Sequence, residues 1–258
     1  MLETVNAGHS ATAALLRRRD RDRYLLAMFV PQEARAAVCA VYVFNYEIAR
    51  VREVVSEPML GQIRLQWWRE SIDLAFRGDV VRRHDVLMTL AATIQNHGLS
   101  REHFYRLIDA RERDLAGDPP ASLPALEAYA EETSAPLQLL VLEILGASGP
   151  AANRAARDAA IAYALAGLLR ATPYLARSRR HAVPPPLVER PDDVAERALA
   201  HVAAARALRG EVPRAALPAL LPNVLAAADL ARLRRGEAAG PDPWRAWRLA
   251  AASWRGRY

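Results

Sequence analysis

Residues 29–57 read FVPQEARAAVCAVYVFNYEIARVREVVSE, and this stretch decides the fold. Pro31 suits the first position of a helix, and the next Gly or Pro in the chain is Pro58. Apolar residues recur three and four positions apart, which is the period of a helix that buries one face. The stretch therefore predicts a core helix from Gln32 to Val55 with these buried positions: Ala34, Ala37, Val38, Val41, Phe44, Ile48, Val51 and Val55.

Proline, glycine and capping residues predict further helices along the chain. The predicted segments are 58–78, 85–98, 100–117, 122–146 with a kink or boundary at Pro136, 151–172, 192–209 and 244–255. Residues 177–186 contain three consecutive prolines and are predicted to be non-helical. Small residues recur on one face of segment 151–172, which allows a second helix to approach closely: Ala152, Ala156, Ala160, Ala164, Gly167 and Ala171.

The composition favours an all-α protein. The 258 residues include 53 Ala and no Lys, so all 35 basic residues are Arg. Ala and Arg are among the best helix formers, whereas strand-favouring residues are few. Since the sequence shows no internal repeat and no long linker, it predicts a single all-α domain over residues 1–258, a helical bundle.

Several classes of protein are excluded by the same sequence. No apolar run approaches the ~18 residues of a membrane span, and the N-terminus lacks the apolar segment of a secretory signal. The arginines of residues 17–23, RRRDRDR, alternate with acids, which argues against a transit peptide, and a cytoplasmic protein is expected. Such alternation is typical of a solvated helix face, so a net charge of +6 does not predict a nucleic-acid partner.

Metal-site motifs are also absent from the sequence. Cys39 is the chain's single cysteine, which excludes a disulfide framework and a cysteine-based zinc site. No two of the six histidines have the spacing of a zinc-binding pair. The sequence therefore predicts no metal site from its own spacing, and no cofactor.

Three segments carry a resemblance to a known family. The first contains these matching residues of a family signature: Phe29, Pro31, Arg35, Ala40, Tyr42 and Phe44. It resembles the squalene/phytoene synthase family, as do YAEETSAPLQLLVLEILG at residues 129–146 and GLLRATPYLARSRRHAVPPPLV at residues 167–188. The resemblance covers most of the chain in order, and it implies an all-α bundle of the isoprenoid-synthase type.

The family's enzymes join two prenyl diphosphates head to head, with Mg²⁺ held by aspartates on two helices to neutralise the departing diphosphate. At the first set of aspartates this chain carries Ala49, Arg50 and Glu53, and at the second it carries Ala171, Tyr174 and Leu175. Only Glu53 could bind a metal, so Mg²⁺ is expected only if the chain is active. The resemblance implies these residues of an ancestral pocket: Tyr42, Glu47, Arg50, Glu53, Tyr129, Arg170 and Tyr174.

A simpler interpretation of the same residues stays open. Glu47, Arg50 and Glu53 stand three apart, a spacing that suits ion pairs along one helix face. Tyr42 and Tyr129 could be core aromatics whose hydroxyls are satisfied.

A divergent branch of the family explains the replaced motifs best. FNYEIARVREVVSE at residues 44–57, GQIRLQWWRESID at 61–73 and LRATPY at 169–174 resemble a branch that acts in respiratory complex I assembly without prenyl transfer. This resemblance implies a catalytically silent assembly or binding factor, with respiratory-chain assembly proteins or a prenyl lipid as partners. Two alternatives remain: a head-to-head prenyl diphosphate transferase, and a module that binds a prenyl lipid.

The last 18 residues, PDPWRAWRLAAASWRGRY, predict a helix with two distinct sides. Trp244, Trp247 and Trp254 share one side, and basic residues, Arg245 and Arg248 among them, line the adjacent side. Indoles beside guanidinium groups are typical of an anchor on an anionic membrane surface, which here would be the inner membrane. The alternative is that the three indoles dock on the domain and close its core.

Overall fold

The computed structural model describes residues 2–79, 84–177, 183, 185–188, 190–237 and 242–258. Within these ranges every regular element is a helix, so the all-α prediction is confirmed. The helices are α1 (Leu2–Arg19), α2 (Arg21–Met28), α3 (Gln32–Ala49), α4 (Val51–Val54), α5 (Pro58–Arg77), α6 (Asp85–His97), α7 (Arg101–Asp114), α8 (Leu123–Ile144), α9 (Pro150–Arg177), α10 (Pro185–Val188), α11 (Pro191–Ala207), α12 (Leu217–Leu220), α13 (Pro222–Arg234) and α14 (Arg245–Arg255), with short 3-10 turns at Leu208–Gly210 and Arg214–Ala216.

The chain divides into two compact units. The first unit consists of Met1–Gly117 and Leu140–Gly146, and the second of Asp118–Leu139 and Ala147–Tyr258. Each unit has a buried core of its own. A single domain over residues 1–258 stays a prediction.

Helix α3 is the central element of the first unit, where it packs against α1, α2, α6 and α7. The predicted core positions along this stretch are buried, except Val55, which is half-buried. The predicted continuous helix is interrupted, because α3 ends at Ala49 and α4 begins at Val51. At this break the carbonyl of Arg50 accepts the amide of Glu53, three residues on (2.8 Å), as well as that of Val54, four residues on (3.2 Å), so a tighter turn overlaps the α-helical spacing.

An aromatic cluster completes the core of the first unit. The ring of Phe44 on α3 meets Trp68 of α5 and Phe104 of α7 edge to face, each at 5.3 Å between centroids. Phe104 also meets Phe76 at 5.9 Å. Edge-to-face pairs of this kind add to the free energy that burial supplies. Trp68 is therefore a packing residue.

Cys39 lies on the same helix and is fully buried. Burial raises the pKa of its thiol to about 11, and the charge of Arg35 opposes that effect only in part. Since the thiolate is the reactive form, this thiol is inert in the folded protein.

Helix α9 is the central element of the second unit, where α11 and α13 pack against it. Ala152, Ala156 and Ala160 are buried there, as the row of small residues predicts. The helix extends past the predicted end at residue 172 to Arg177 and carries Pro173 within it. Likewise, α8 runs through Pro136 without ending there.

Residues 185–188 correct the prediction of a non-helical stretch up to residue 186, because they form the short helix α10. Proline is compatible with the first turn of a helix, where the missing N–H would have no intrahelical partner.

Candidate functional site

The first predicted cluster lies at the end of α3 in the first unit. Glu47 and Arg50 form an ion pair with 3.6 Å between Oε1 and Nη1, and the Arg50 guanidinium lies over the ring of Tyr46 at 5.5 Å. Glu53 is exposed on α4. The structure thus brings Glu47 and Arg50 together, and it leaves Glu53 facing solvent, one turn further along.

Tyr42 is a core residue of the same unit. It is buried on α3, and the guanidinium of Arg23 lies 6.0 Å from its ring centroid. Its burial fits the simpler interpretation of a core aromatic, and its role in a pocket stays a prediction.

The residues predicted on α8 and α9 belong to the second unit. Tyr129 is half-buried, and its main-chain carbonyl accepts a hydrogen bond from the Thr133 hydroxyl at 2.7 Å. The backbone of Tyr174 lies within α9, whereas its side chain lies outside the described residues, so its pocket role stays a prediction.

A buried carboxylate between two guanidinium groups is the centre of the second unit's polar chemistry. Asp229 on α13 is 5% exposed, and its two oxygens accept from Nη1 and Nη2 of Arg245, both at 2.9 Å. Nη1 of Arg170 on α9 reaches the same carboxylate at 3.1 Å. Such a two-pronged pair is the strongest ion-pair geometry that proteins use, and here it ties α9, α13 and α14 together.

The prediction that Arg245 contacts a membrane is therefore wrong. Its side chain is buried with Asp229 because a guanidinium inside a protein needs a carboxylate partner, and Asp229 supplies one. Sequence reasoning missed Asp229, although one signal was present. It is the single acid of a mostly apolar helix, LPNVLAAADLARL at residues 221–233, and a buried acid on such a helix must find a cation.

The tryptophans of the last helix lie on its outer side. Trp244, Trp247 and Trp254 are 61%, 71% and 81% exposed, so they do not close the core. Arg248 is also exposed, with its Nε 3.4 Å from a carboxylate oxygen of Asp242. Three exposed indoles on one short helix form a patch of the kind that marks an interaction site. In this structure the indoles, together with Arg248, keep the membrane-contact prediction open.

Metal-binding groups and membrane-spanning helices were sought among the residues that the structure describes. Within it no three His, Cys, Asp or Glu side chains are grouped so that they could hold a metal ion. Within it, too, no single helix is long and apolar enough to cross a bilayer, although Arg214–Leu220 and Pro222–Arg234, bent by 43°, meet the length and composition test as a pair.

His201 on α11 forms a second, half-buried polar cluster that sequence reasoning missed. Its Nδ1 lies 2.8 Å from Asp158 of α9, and its Nε2 lies 2.9 Å from Glu127 of α8. Since a carboxylate only accepts hydrogen bonds, both ring nitrogens donate when the imidazole is protonated. Burial alone lowers the pKa of His201, but the hydrogen bonds with Asp158 and Glu127 and their charges outweigh it, so the pKa is raised above its usual value.

This cluster predicts a pH-dependent contribution to stability. Because the pKa of His201 is higher in the folded state, its contribution is fully present below the unfolded pKa of about 6.5 and is lost as pH rises through the raised value. We expect His201→Gln to lower the free energy of unfolding more at pH values below about 6.5 than in mildly alkaline solution. Urea unfolding of the wild type and the variant across this pH range measures the loss in the free energy of unfolding. An equal loss in acidic and in mildly alkaline solution would contradict the prediction.

Comparison with known proteins identifies the family of this chain. A model of the squalene/phytoene synthase family matches residues 16–255. The chain belongs to the squalene/phytoene synthase family. The family resemblance drawn from residues 29–57 and the later segments is thereby confirmed.

Curated relatives with one common name are similar over most of the chain. They are named NADH dehydrogenase (ubiquinone) complex I, assembly factor 6. The Rattus norvegicus protein is 32% identical over 247 residues, which cover 88% of this chain and 74% of that protein. The Homo sapiens protein is 31% identical over 241 residues, which cover 86% and 72%. The homolog from Drosophila melanogaster is 32% identical over 252 residues, which cover 86% and 74%.

Solved structures of synthases share the fold. A squalene synthase from Alicyclobacillus acidocaldarius superposes with a TM-score of 0.77 at 23% identity, covering 92% of this chain and 96% of the other. A dehydrosqualene synthase crystallised with a ligand gives a TM-score of 0.81 at 15% identity, covering 98% and 97%. The predicted synthase-type bundle is confirmed.

Proposed function

We propose that this chain is an assembly factor for a respiratory NADH dehydrogenase, that it works at a membrane surface, and that it does not transfer prenyl groups. The observation that carries the proposal is the similarity, at about a third identity over most of the chain, to proteins named complex I assembly factor 6. In this proposal the synthase fold is kept as a scaffold, and the prenyl-transfer reaction has been lost.

The polar residues at the end of α3 support catalytic silence. Ionisation of a prenyl diphosphate requires several carboxylates, on two helices, to hold Mg²⁺ against the leaving group. Here Ala49 offers no oxygen, and the carboxylate of Glu47 pairs with the guanidinium of Arg50. The fixed positive charge of Arg50 repels a divalent cation. Among Glu47, Arg50 and Glu53, only Glu53 is exposed to solvent.

The exposed indoles of α14 support the membrane surface. Trp247 and Trp254 are among the most exposed large apolar side chains described, and Arg248 stands next to Trp247 on the same helix. An indole gains free energy at the boundary between headgroups and acyl chains, and each arginine near an anionic surface adds about 1 kcal/mol. Attraction of this size is reversible, which suits a factor that visits a membrane complex and leaves it.

Deletion of the gene in the source organism tests the proposal. We expect the amount of fully assembled NADH dehydrogenase on native gels to fall severalfold, and the wild-type gene to restore it. The purified protein, incubated with farnesyl diphosphate and Mg²⁺, should release no diphosphate above the protein-free control.

Two outcomes would contradict this function. Unchanged NADH dehydrogenase in the deletion strain would remove the assembly role. Mg²⁺-dependent release of diphosphate that disappears in Glu53→Ala would restore the prenyl transferase alternative.

A further inference from the structure

A basic pocket lies beside the last helix, within the second unit. It has a volume of about 280 Å³, near the lower end of the range for small-ligand pockets. Its lining residues are Arg209, Val212, Pro213, Arg214, Leu217, Arg255, Gly256 and Tyr258. The lining therefore supplies three guanidinium groups and, among the described residues, no acidic side chain.

The chain end forms one wall of this pocket through a reversal at Gly256. This glycine ends α14 with a φ of +63°, a conformation that glycine adopts without strain. The reversal buries Tyr258, whose main-chain oxygen accepts from Nη2 of Arg209 at 2.8 Å and from Nε of Arg206 at 3.1 Å. The guanidinium of Arg209 also lies over the Tyr258 ring at 5.5 Å. Arg206 and Arg209 thus hold the wall in place.

The two remaining arginines of the lining, Arg214 and Arg255, are exposed. Glu211 is the acidic residue closest to Arg214 in sequence. Its carboxylate lies 3.8 Å from the guanidinium of Arg154, so its negative charge is directed toward Arg154. Burial lowers the pKa of Arg206, which lies behind the pocket wall, and the neighbouring charge of Arg209 lowers it further.

The accessible donors of the lining are guanidinium groups. The phenolic oxygen of Tyr258 is buried and, within the described residues, meets no hydrogen-bond partner, so it is not a donor that a ligand in the pocket reaches. Guanidinium groups are the donors that best suit a phosphate oxygen, because their N–H groups form a fork that matches two such oxygens.

We propose that this pocket binds a phosphate ester through Arg214 and Arg255. A phosphate ester can come from two sources, a lipid headgroup or a soluble molecule. Trp254, which is 81% exposed, directly precedes Arg255, so an indole inserted among headgroups would bring the pocket to the level of the lipid phosphates. The lipid source rests on the proposed membrane contact, whereas binding of a soluble phosphate ester does not.

The test uses the full chain and two probes. Glycerol 3-phosphate, titrated by calorimetry, reports on the pocket alone, and flotation with mixed phosphatidylcholine and phosphatidic acid vesicles reports on the lipid source. The pocket variant is Arg214→Gln/Arg255→Gln, and its charge-matched control is Arg64→Gln/Arg234→Gln, two exposed arginines outside the pocket. We expect the pocket variant to lose about tenfold or more in affinity for a bound probe, and the control to stay within about twofold of wild type.

Two further variants separate the pocket from the membrane contact and from folding. Trp247→Ser/Trp254→Ser should lose vesicle flotation but keep its affinity for glycerol 3-phosphate. Tyr258→Phe should keep the affinity for glycerol 3-phosphate and should not lower the melting temperature, because it deletes a buried hydroxyl that has no partner within the described residues.

Each outcome bears on the assignment. If wild type binds glycerol 3-phosphate but ignores the vesicles, the pocket stands with a soluble ligand and the membrane contact fails. If it floats only with phosphatidic acid and the pocket variant does not, the ligand is the lipid. Equal losses in the pocket variant and its control, or no response of wild type to either probe, overturn the phosphate site. The level of assembled NADH dehydrogenase in the deletion strain is a separate readout and decides the proposed function by itself.

Discussion

Replacing Asp229 by alanine is expected to lower the free energy of unfolding by about 3–5 kcal/mol. The substitution removes the carboxylate that Arg245 grips with two hydrogen bonds and that Arg170 also reaches. Arg245 is only 7% exposed, so its charge would stay buried without that counter-ion. Calorimetry should show a fall in melting temperature of roughly 6–20 °C for a chain of this size.

An exposed ion pair provides the matched control for this substitution. Asp193 pairs with Arg190 at 3.3 Å, and the two side chains are 42% and 67% exposed. Asp193→Ala should therefore cost at most about 1 kcal/mol. Equal effects of the two substitutions would show that the Asp229 cluster does not hold the second unit together.

Phe104→Ala is expected to destabilise the first unit by a similar amount, about 3–5 kcal/mol. Phe104 is fully buried, and its ring contacts both Phe44 and Phe76, so truncation leaves a cavity and removes two edge-to-face pairs. Urea unfolding followed by tryptophan fluorescence measures the loss, because Trp68 meets Phe44 in the same cluster.

Met88→Ala is the control for this truncation. Met88 is 43% exposed, so losing its side chain should change the free energy of unfolding by about 0.5 kcal/mol or less. A loss of less than about 1 kcal/mol for Phe104→Ala would contradict the central role of the aromatic cluster.

The core of the first unit could be predicted because its signal is local. The apolar positions of α3 follow one helical period, and burial of such a face in the core is the main driving force for folding. Seven of the eight positions, from Ala34 to Val51, are buried as predicted. The break at Arg50 could not be predicted, since neither Gly nor Pro marks it and only the hydrogen bonds reveal the tighter turn.

The polar clusters of the second unit could not be predicted because their members are far apart in sequence. Arg245 lies 16 positions from Asp229, and Arg170 lies 59 positions from it. Periodicity placed the indoles of α14 together on one side, but it could not say which side faces the protein. Arg245 and Leu249, four residues apart, form the buried side, and Arg245 can be buried there because its guanidinium pairs with Asp229.

Cys39 turns the first unit into its own chemical reporter. It is the chain's single thiol, it lies on α3, and its reactivity depends on exposure to solvent. The rate at which a thiol reagent labels the protein therefore measures how often the first unit opens, and it does not respond to openings confined to the second unit. Asp229→Ala will speed this labelling only if the two units open as one cooperative whole, so a single cysteine decides whether residues 1–258 behave as one domain.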